Sequence, residues 1–269
     1  MYIIKQEKFI LFPLAYNEFC KDISSICKTG TFAGGVHIER VLNVDSIKDI
    51  ISFIEQNSKI EDIFYVIDMR NIVSYVEHSF SLLKELKDYK IIIYGAKGDV
   101  EKKIDDDLGG NIIPLMKNIK ATTNIDKSCV KKLEKEIESV YITETAKIVQ
   151  WMSRNISPEQ YDELMPLDSS GVYCNMYVDA KKLFLDPTKC YFILYLMILE
   201  VAKYKNKNEI DALISASRNG ANIANIIGWL LDIKVVHCIN LGPKFSLSMQ
   251  NINKDIRERK KYFYIFDFM

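Results

Sequence analysis

One stretch constrains the fold more than any other: "EIDALISASRNGANIANIIGWLLDIKVVHCINLG" (209–242). It reads as a strand (209–216), a tight polar turn, an almost wholly apolar helix (223–231) and a second strand (234–242). Strands separated by a helix pair in parallel, with the helix packed across the sheet. A polar segment (243–261) leads to a third strand, "YFYIFDFM" (262–269), which reads as a buried parallel strand with Asp267 at its carboxyl end. The turn "ASRNGAN" (216–222) has a chemical use. Gly220 admits backbone conformations closed to other residues. The following helix offers free N–H groups and a positive dipole end. Arg218 brings a planar fork of donors suited to phosphate oxygens. A glycine in such a turn serves helix packing equally well, so the turn alone leaves both readings open.

The first half alternates in the same way. "YIIKQEKFILFPL" (2–14) reads as a strand or hairpin. "DSIKDIISFIEQ" (45–56) places Ile47, Ile50, Ile51 and Ile54 on one helical face, with Asp45 as its cap. "IFYVIDM" (63–69) and "KIIIYGA" (90–96) are unbroken apolar runs, as expected of strands covered on both faces. "SYVEHSFSLLKELKD" (74–88) predicts a helix capped by Ser74, and "GDVEKKIDDDLGG" (98–110) a short helix closed by glycines. "NIIPLM" (111–116) predicts the last strand. Residues 126–155 then read as one long helix or two shorter ones, with an apolar stripe of Val130, Leu133, Ile137, Val140 and Tyr141. "ISPEQYDELMP" (156–166) opens another helix, with Ser157 as cap and Pro158 at the first helical position. The expected fold class is α/β: a small unit over 1–120, a helical connector over 121–155 and a second, Rossmann-like parallel sheet over 156–269.

Several functional classes are disfavoured. The 36 basic and 36 acidic residues cancel, which argues against a nucleic-acid face driven by bulk charge. The amino-terminal apolar segment is broken by Lys5, Glu7 and Lys8, so it does not read as a secretory signal. A cytoplasmic protein with reduced thiols is expected, since none of the six cysteines forms a C-x-x-C pair. The longest apolar run, "CYFILYLMIL" (190–199), is about half a membrane span and predicts a buried helix. The three histidines are far apart, and no metal site is expected.

Two segments resemble known families. "FYVIDMRNIVSYVEHSFSLLKELKDYKIIIYGA" (64–96) resembles the STAS-like domains of anti-sigma-factor antagonists, a likeness covering about 100 residues. It implies a partner-docking module, but the D-S-S-G-like phosphorylation sequence is absent; Ser74 reads as a helix cap and Asp68 as an acid that ends a strand. "SSGVYCNMYVDAKKLFLDP" (169–187) looks like the hood segment of the type I phosphoribosyltransferases, orotate phosphoribosyltransferases in particular. The strand, turn and helix at 209–231 are similar to that family's pyrophosphate loop. The resemblance implies that Ser217, Arg218, Asn219, Gly220 and Ala221 hold the pyrophosphate of phosphoribosyl pyrophosphate (PRPP). It implies that Gly171, Tyr177 and Asp179 belong to the hood around the base, with Asn175 replacing the usual serine. "NLGPKFSLSMQN" (240–251) takes the place of the mobile catalytic loop, with Lys244 as its catalytic cation, and Asp267 remains of the acid pair that holds the ribose.

The implied chemistry is ribosyl-phosphate transfer from PRPP to a nitrogenous base, with Mg²⁺ and loop cations stabilising the departing pyrophosphate. Two departures predict inefficient turnover: Phe268 replaces the second acid, and the sequence reaches Met269 before a T-G-containing phosphate loop. Loss of several charge-assisted bonds, about 1.5–3 kcal/mol each, would lower PRPP affinity by orders of magnitude. The leading expectation is a phosphoribosyltransferase-family protein that binds PRPP or a nucleotide-like ligand. A regulatory protein that docks a partner through its first unit is one alternative; the helical segment over 117–165 either joins the halves or forms part of a homodimer contact. A nucleic-acid-associated defence accessory protein using "RERKK" (257–261) is another, although that cluster reads first as solvated charge. Trp151 and Trp229 read as core residues, His237 as a core or edge histidine, and Asp105, Asp106 and Asp107 as a solvated helix end.

Overall fold

The computed structural model describes residues 1–20, 36–57, 63–75, 79–86, 89–109, 112–116, 119–122, 125–155, 165–167, 172–174, 176–215, 218–237 and 262–265. The chain divides into two compact units, Met1–Glu136 and Ile137–Met269.

Unit 1 contains, in order, β1 (Ile4–Lys5), β2 (Phe9–Pro13), β3 (Asn17–Cys20), β4 (Val36–Glu39), β5 (Val41–Leu42), α1 (Val44–Gln56), β6 (Phe64–Asp68), β7 (Ser74–Tyr75), a 3-10 helix (Ser79–Leu86), β8 (Lys90–Tyr94), α2 (Gly98–Leu108), β9 (Ile113–Met116) and β10 (Ile119–Ala121). The helix α3 (Lys127–Met152) begins in this unit and continues into the next. The sheet order is β1-β2-β6-β8-β10-β9. Its centre, β2-β6-β8, is parallel, and antiparallel pairs close both edges. Side chains alternate across the sheet. Ile10, Phe12, Ile67 and Ile93 bury one face against α1, the 3-10 helix and α2 through Ile47, Ile50, Phe80, Leu83 and Ile104. Leu11, Val66 and Ile92 are buried as well. On their face, Phe64 and Ile92 line a cavity of about 170 Å³ together with Cys129, Val130 and Leu133 of α3. Cover on both faces is why these strands read as unbroken apolar runs.

Four local expectations change. The cap of α1 is Asn43, whose side chain accepts the Ser46 N–H at 2.9 Å, and Asp45 falls in the first turn. Ser74 caps no helix: it lies in β7, paired in parallel with β5, and its N–H donates to the Arg40 carbonyl. The strand at 113–116 is followed by β10, which inserts between β8 and β9. β10 carries the buried Lys120, whose ammonium donates to Asp105 and to the Glu101 carbonyl of α2. Two of the three adjacent acids are therefore structural partners, since Asp107 also accepts the Phe80 N–H at 3.3 Å.

Unit 2 contains β11 (Ser153–Asn155), β12 (Met165–Leu167), β13 (Val172–Cys174), β14 (Met176–Val178), a 3-10 helix (Ala180–Leu185), α4 (Pro187–Asn206), β15 (Ala212–Ser215), α5 (Arg218–Leu231), β16 (Lys234–His237) and β17 (Tyr262–Ile265). Residues 165 and 166 belong to a strand and not to a helix; the rest of the helix expected there, 156–164, lies outside the described residues. The apolar run 190–199 is inside α4, with Asp186 as N-cap and Pro187 opening the helix. Phe192 and Tyr195 of α4 pack on Tyr141 of α3, with ring centroids 5.7 and 5.5 Å apart. Neither tryptophan is a core residue. Trp229 is 62% exposed because Ile223, Ile227 and Leu231 occupy the buried face of α5, and position 229 falls opposite. Trp151 is also exposed, with the Lys189 ammonium 4.5 Å from its ring centroid. Among the described residues, no helix is long and apolar enough to cross a membrane.

Candidate functional site

The unit 2 sheet runs in the order β16-β15-β17, parallel throughout. From β15 the chain passes through α5 to β16 on one side, while β17 lies on the other. Crossovers that diverge from a central strand leave a crevice at its carboxyl end, where α/β sheets bind ligands. Ser215, buried at that end, is in register with His237 and with Ile265. The strand that leads to residues 217–221 and the strand that leads to Asp267 are thus adjacent and point the same way.

The position of α5 follows from a close approach. A Cβ at Gly228 would come within 2.3 Å of Val235 Cγ2 and 2.9 Å of the Ile233 carbonyl oxygen, so only glycine lets α5 lie this near β16. At the far end of α5, the Lys205 ammonium donates to the Leu231 and Asp232 carbonyls. A cation there complements the negative end of the helix dipole and leaves the positive end at the crevice.

Of the residues singled out in the sequence, Arg218 and Asn219 open α5, Gly220 is buried in its first turn and Ala221 is half-buried. Ser217, Gly171, Lys244 and Asp267 lie outside the described residues. Tyr177 sits in β14 opposite Arg154 of β11, a two-stranded ribbon separate from the β16-β15-β17 sheet. Asp179 caps the 3-10 helix that follows, accepting the Lys181 N–H at 3.2 Å. Its own N–H donates to the Met152 carbonyl at 3.0 Å. One polar group at the crevice edge was legible only as a strand residue: His237 is exposed, and its Nε2 lies 3.1 Å from Asn225 Oδ1 of α5. Its alignment with Ser215 depends on strand register, which a single sequence does not display.

The carboxyl edge of the unit 1 sheet carries a second polar cluster. Asp68 ends β6 with no exposed surface. Its carboxylate accepts Arg70 Nε and Nη2 at 3.1 and 2.8 Å and the Arg70 N–H at 3.1 Å. The Arg70 guanidinium lies 5.0 Å from the Tyr94 ring centroid. Its side chain crosses Gly95, where φ is +78° and a Cβ would come within 2.2 Å of Arg70 Cγ. The backbone adds two ties: Leu14 N–H to the Asp68 carbonyl at 3.0 Å and Met69 N–H to the Tyr94 carbonyl at 2.8 Å. Residues 68–70 therefore join the ends of the three parallel strands.

Among the described residues, no three His, Cys, Asp or Glu side chains converge as a metal site requires. No family model, curated protein or solved structure matches the chain.

Proposed function

We propose that unit 2 binds PRPP or a related phosphorylated, nucleotide-like ligand at the carboxyl edge of β15, as the type I phosphoribosyltransferases do. The observation that supports this most is the parallel order β16-β15-β17, with α5 starting within three residues of the end of β15. In this reading the backbone N–H groups of residues 217–221 and the Arg218 guanidinium hold the pyrophosphate. Asp267, two residues past the end of β17 in the sequence, accepts the ribose hydroxyls, and Lys244 meets the leaving charge.

Isothermal titration of the full chain with PRPP, with Mg²⁺ present, tests the reading. Saturable binding is expected, weakened roughly 10- to 100-fold in Arg218→Met, which matches one charge-assisted bond of about 1.5–3 kcal/mol. A chain that binds neither PRPP nor pyrophosphate, or an Arg218→Met variant that titrates like the wild type, would sink the proposal.

A further inference from the structure

Arg40 sits between β4 and β5 and ties down the loop that leaves β6. Its carbonyl accepts the Val73 N–H at 2.9 Å and the Ser74 N–H at 3.4 Å. Its Nε donates to the Asn71 carbonyl at 2.6 Å. Both ends of the residue thus hold residues 71–74 beside the carboxyl edge of the unit 1 sheet.

Among the described residues, the rest of the guanidinium meets no partner. Burial pulls the Arg40 pKa below the ordinary arginine value, and among the described residues no acidic neighbour opposes that shift. The acid that ends β6, Asp68, is held by Arg70. Arg70, Lys120, Lys147, Lys189 and Lys203 each reach a carboxylate. Among the described residues, the two terminal nitrogens of Arg40 reach none. A half-buried cation without a counter-charge is costly, and such groups gather where a ligand supplies the missing charge.

We propose that Arg40 anchors an oxyanion site at the carboxyl edge of the unit 1 sheet, taking a phosphate or carboxylate group of a small ligand in the free fork of its guanidinium. Two parallel N–H donors match two oxygens of either group. The carboxyl ends of parallel strands are also where α/β folds gather their binding loops. The proposal is independent of the crevice in unit 2.

Glyoxal, a small arginine-selective dicarbonyl, reads the site in the wild-type full chain when adducts are mapped by mass spectrometry. Arg40 is expected to react, and inorganic phosphate or acetate is expected to slow its labelling at least fivefold. Arg70, held by Asp68, serves as the reference, and Arg218 reports separately on unit 2. Protection by phosphate alone assigns a phosphate ligand; protection by acetate alone assigns a carboxylate. An Arg40 that labels at one rate with and without both anions overturns the site. An Arg40 that never reacts also overturns it, because a fork closed to glyoxal is closed to phosphate. As a second measurement, the rise in melting temperature caused by the protecting anion should vanish in Arg40→Gln. If that variant does not fold, the wild-type labelling decides.

Discussion

At the scale of single residues, the structure separates positions that look alike in the sequence. Gly95 and Gly98 flank the same short turn, at φ of +78° and +58°. A methyl group at 95 meets Arg70, whereas one at 98 meets nothing within 4 Å. Gly98→Ala should cost about 1–2 kcal/mol, the ordinary penalty of a left-handed backbone. Gly95→Ala should cost more than that, because the Arg70 side chain must also move off Tyr94; urea unfolding of the two variants makes the comparison. Cysteines sort in the same way. Burial, and secondarily the nearby Asp186, raise the Cys190 pKa, while Cys129 is exposed at the start of α3. Iodoacetamide at mildly alkaline pH should alkylate Cys129 well before Cys190, because the thiolate is the reactive form.

At the scale of elements, two contacts set where unit 2 places its helices. Asp186 caps α4 by accepting the Thr188 and Lys189 N–H groups, both at 3.1 Å, and it also binds the Lys189 ammonium. Hydrogen bonds from Lys189 and then Thr188 hold its carboxyl well below the usual carboxylate range. A depressed folded pKa means stability that is present above the unfolded pKa and lost as the pH falls towards the folded one. Asp186→Ala should therefore cost about 1 kcal/mol at neutral pH. The gap to wild type should narrow as the pH drops below about 4, visible in urea midpoints measured across that range. Gly228→Val should push α5 away from β16 and cost about 1–3 kcal/mol through overpacking. The same variant should weaken any ligand held at the start of α5. Elements with a period or an unbroken apolar run were legible in the sequence: β6, β8 and β15 fall within their expected spans, and α1 and α4 contain theirs. β10 was hidden because Lys120 breaks its apolar character, and only its partner Asp105, 15 residues earlier, makes that lysine at home in a sheet. β7 was hidden because what keeps it extended is the Arg40 carbonyl, more than 30 residues away in sequence.

At the scale of the whole molecule, the chain is two α/β units with separate sheets, and α3 contributes residues to both. Unit 1 closes both edges of its sheet with antiparallel strands and covers its inner strands on both faces. The fragment 1–136, which retains the first turns of α3, is expected to unfold cooperatively by itself, as measured by far-ultraviolet circular dichroism in urea. The candidate site in unit 2 was legible as a strand, turn and helix, and β17 as a third parallel strand, but the pairing of β17 with β15 was not. Pairing β15 with β17 joins residues about 50 positions apart, a long-range choice carried by no local pattern. The placement of the two tryptophans has an optical consequence. Both indoles, Trp151 and Trp229, belong to unit 2, and both reach solvent. Indole emission should be red-shifted, open to quenching by a soluble collider, and reported from unit 2. The chain carries its own optical reporter, and both of its indoles lie in one half of it.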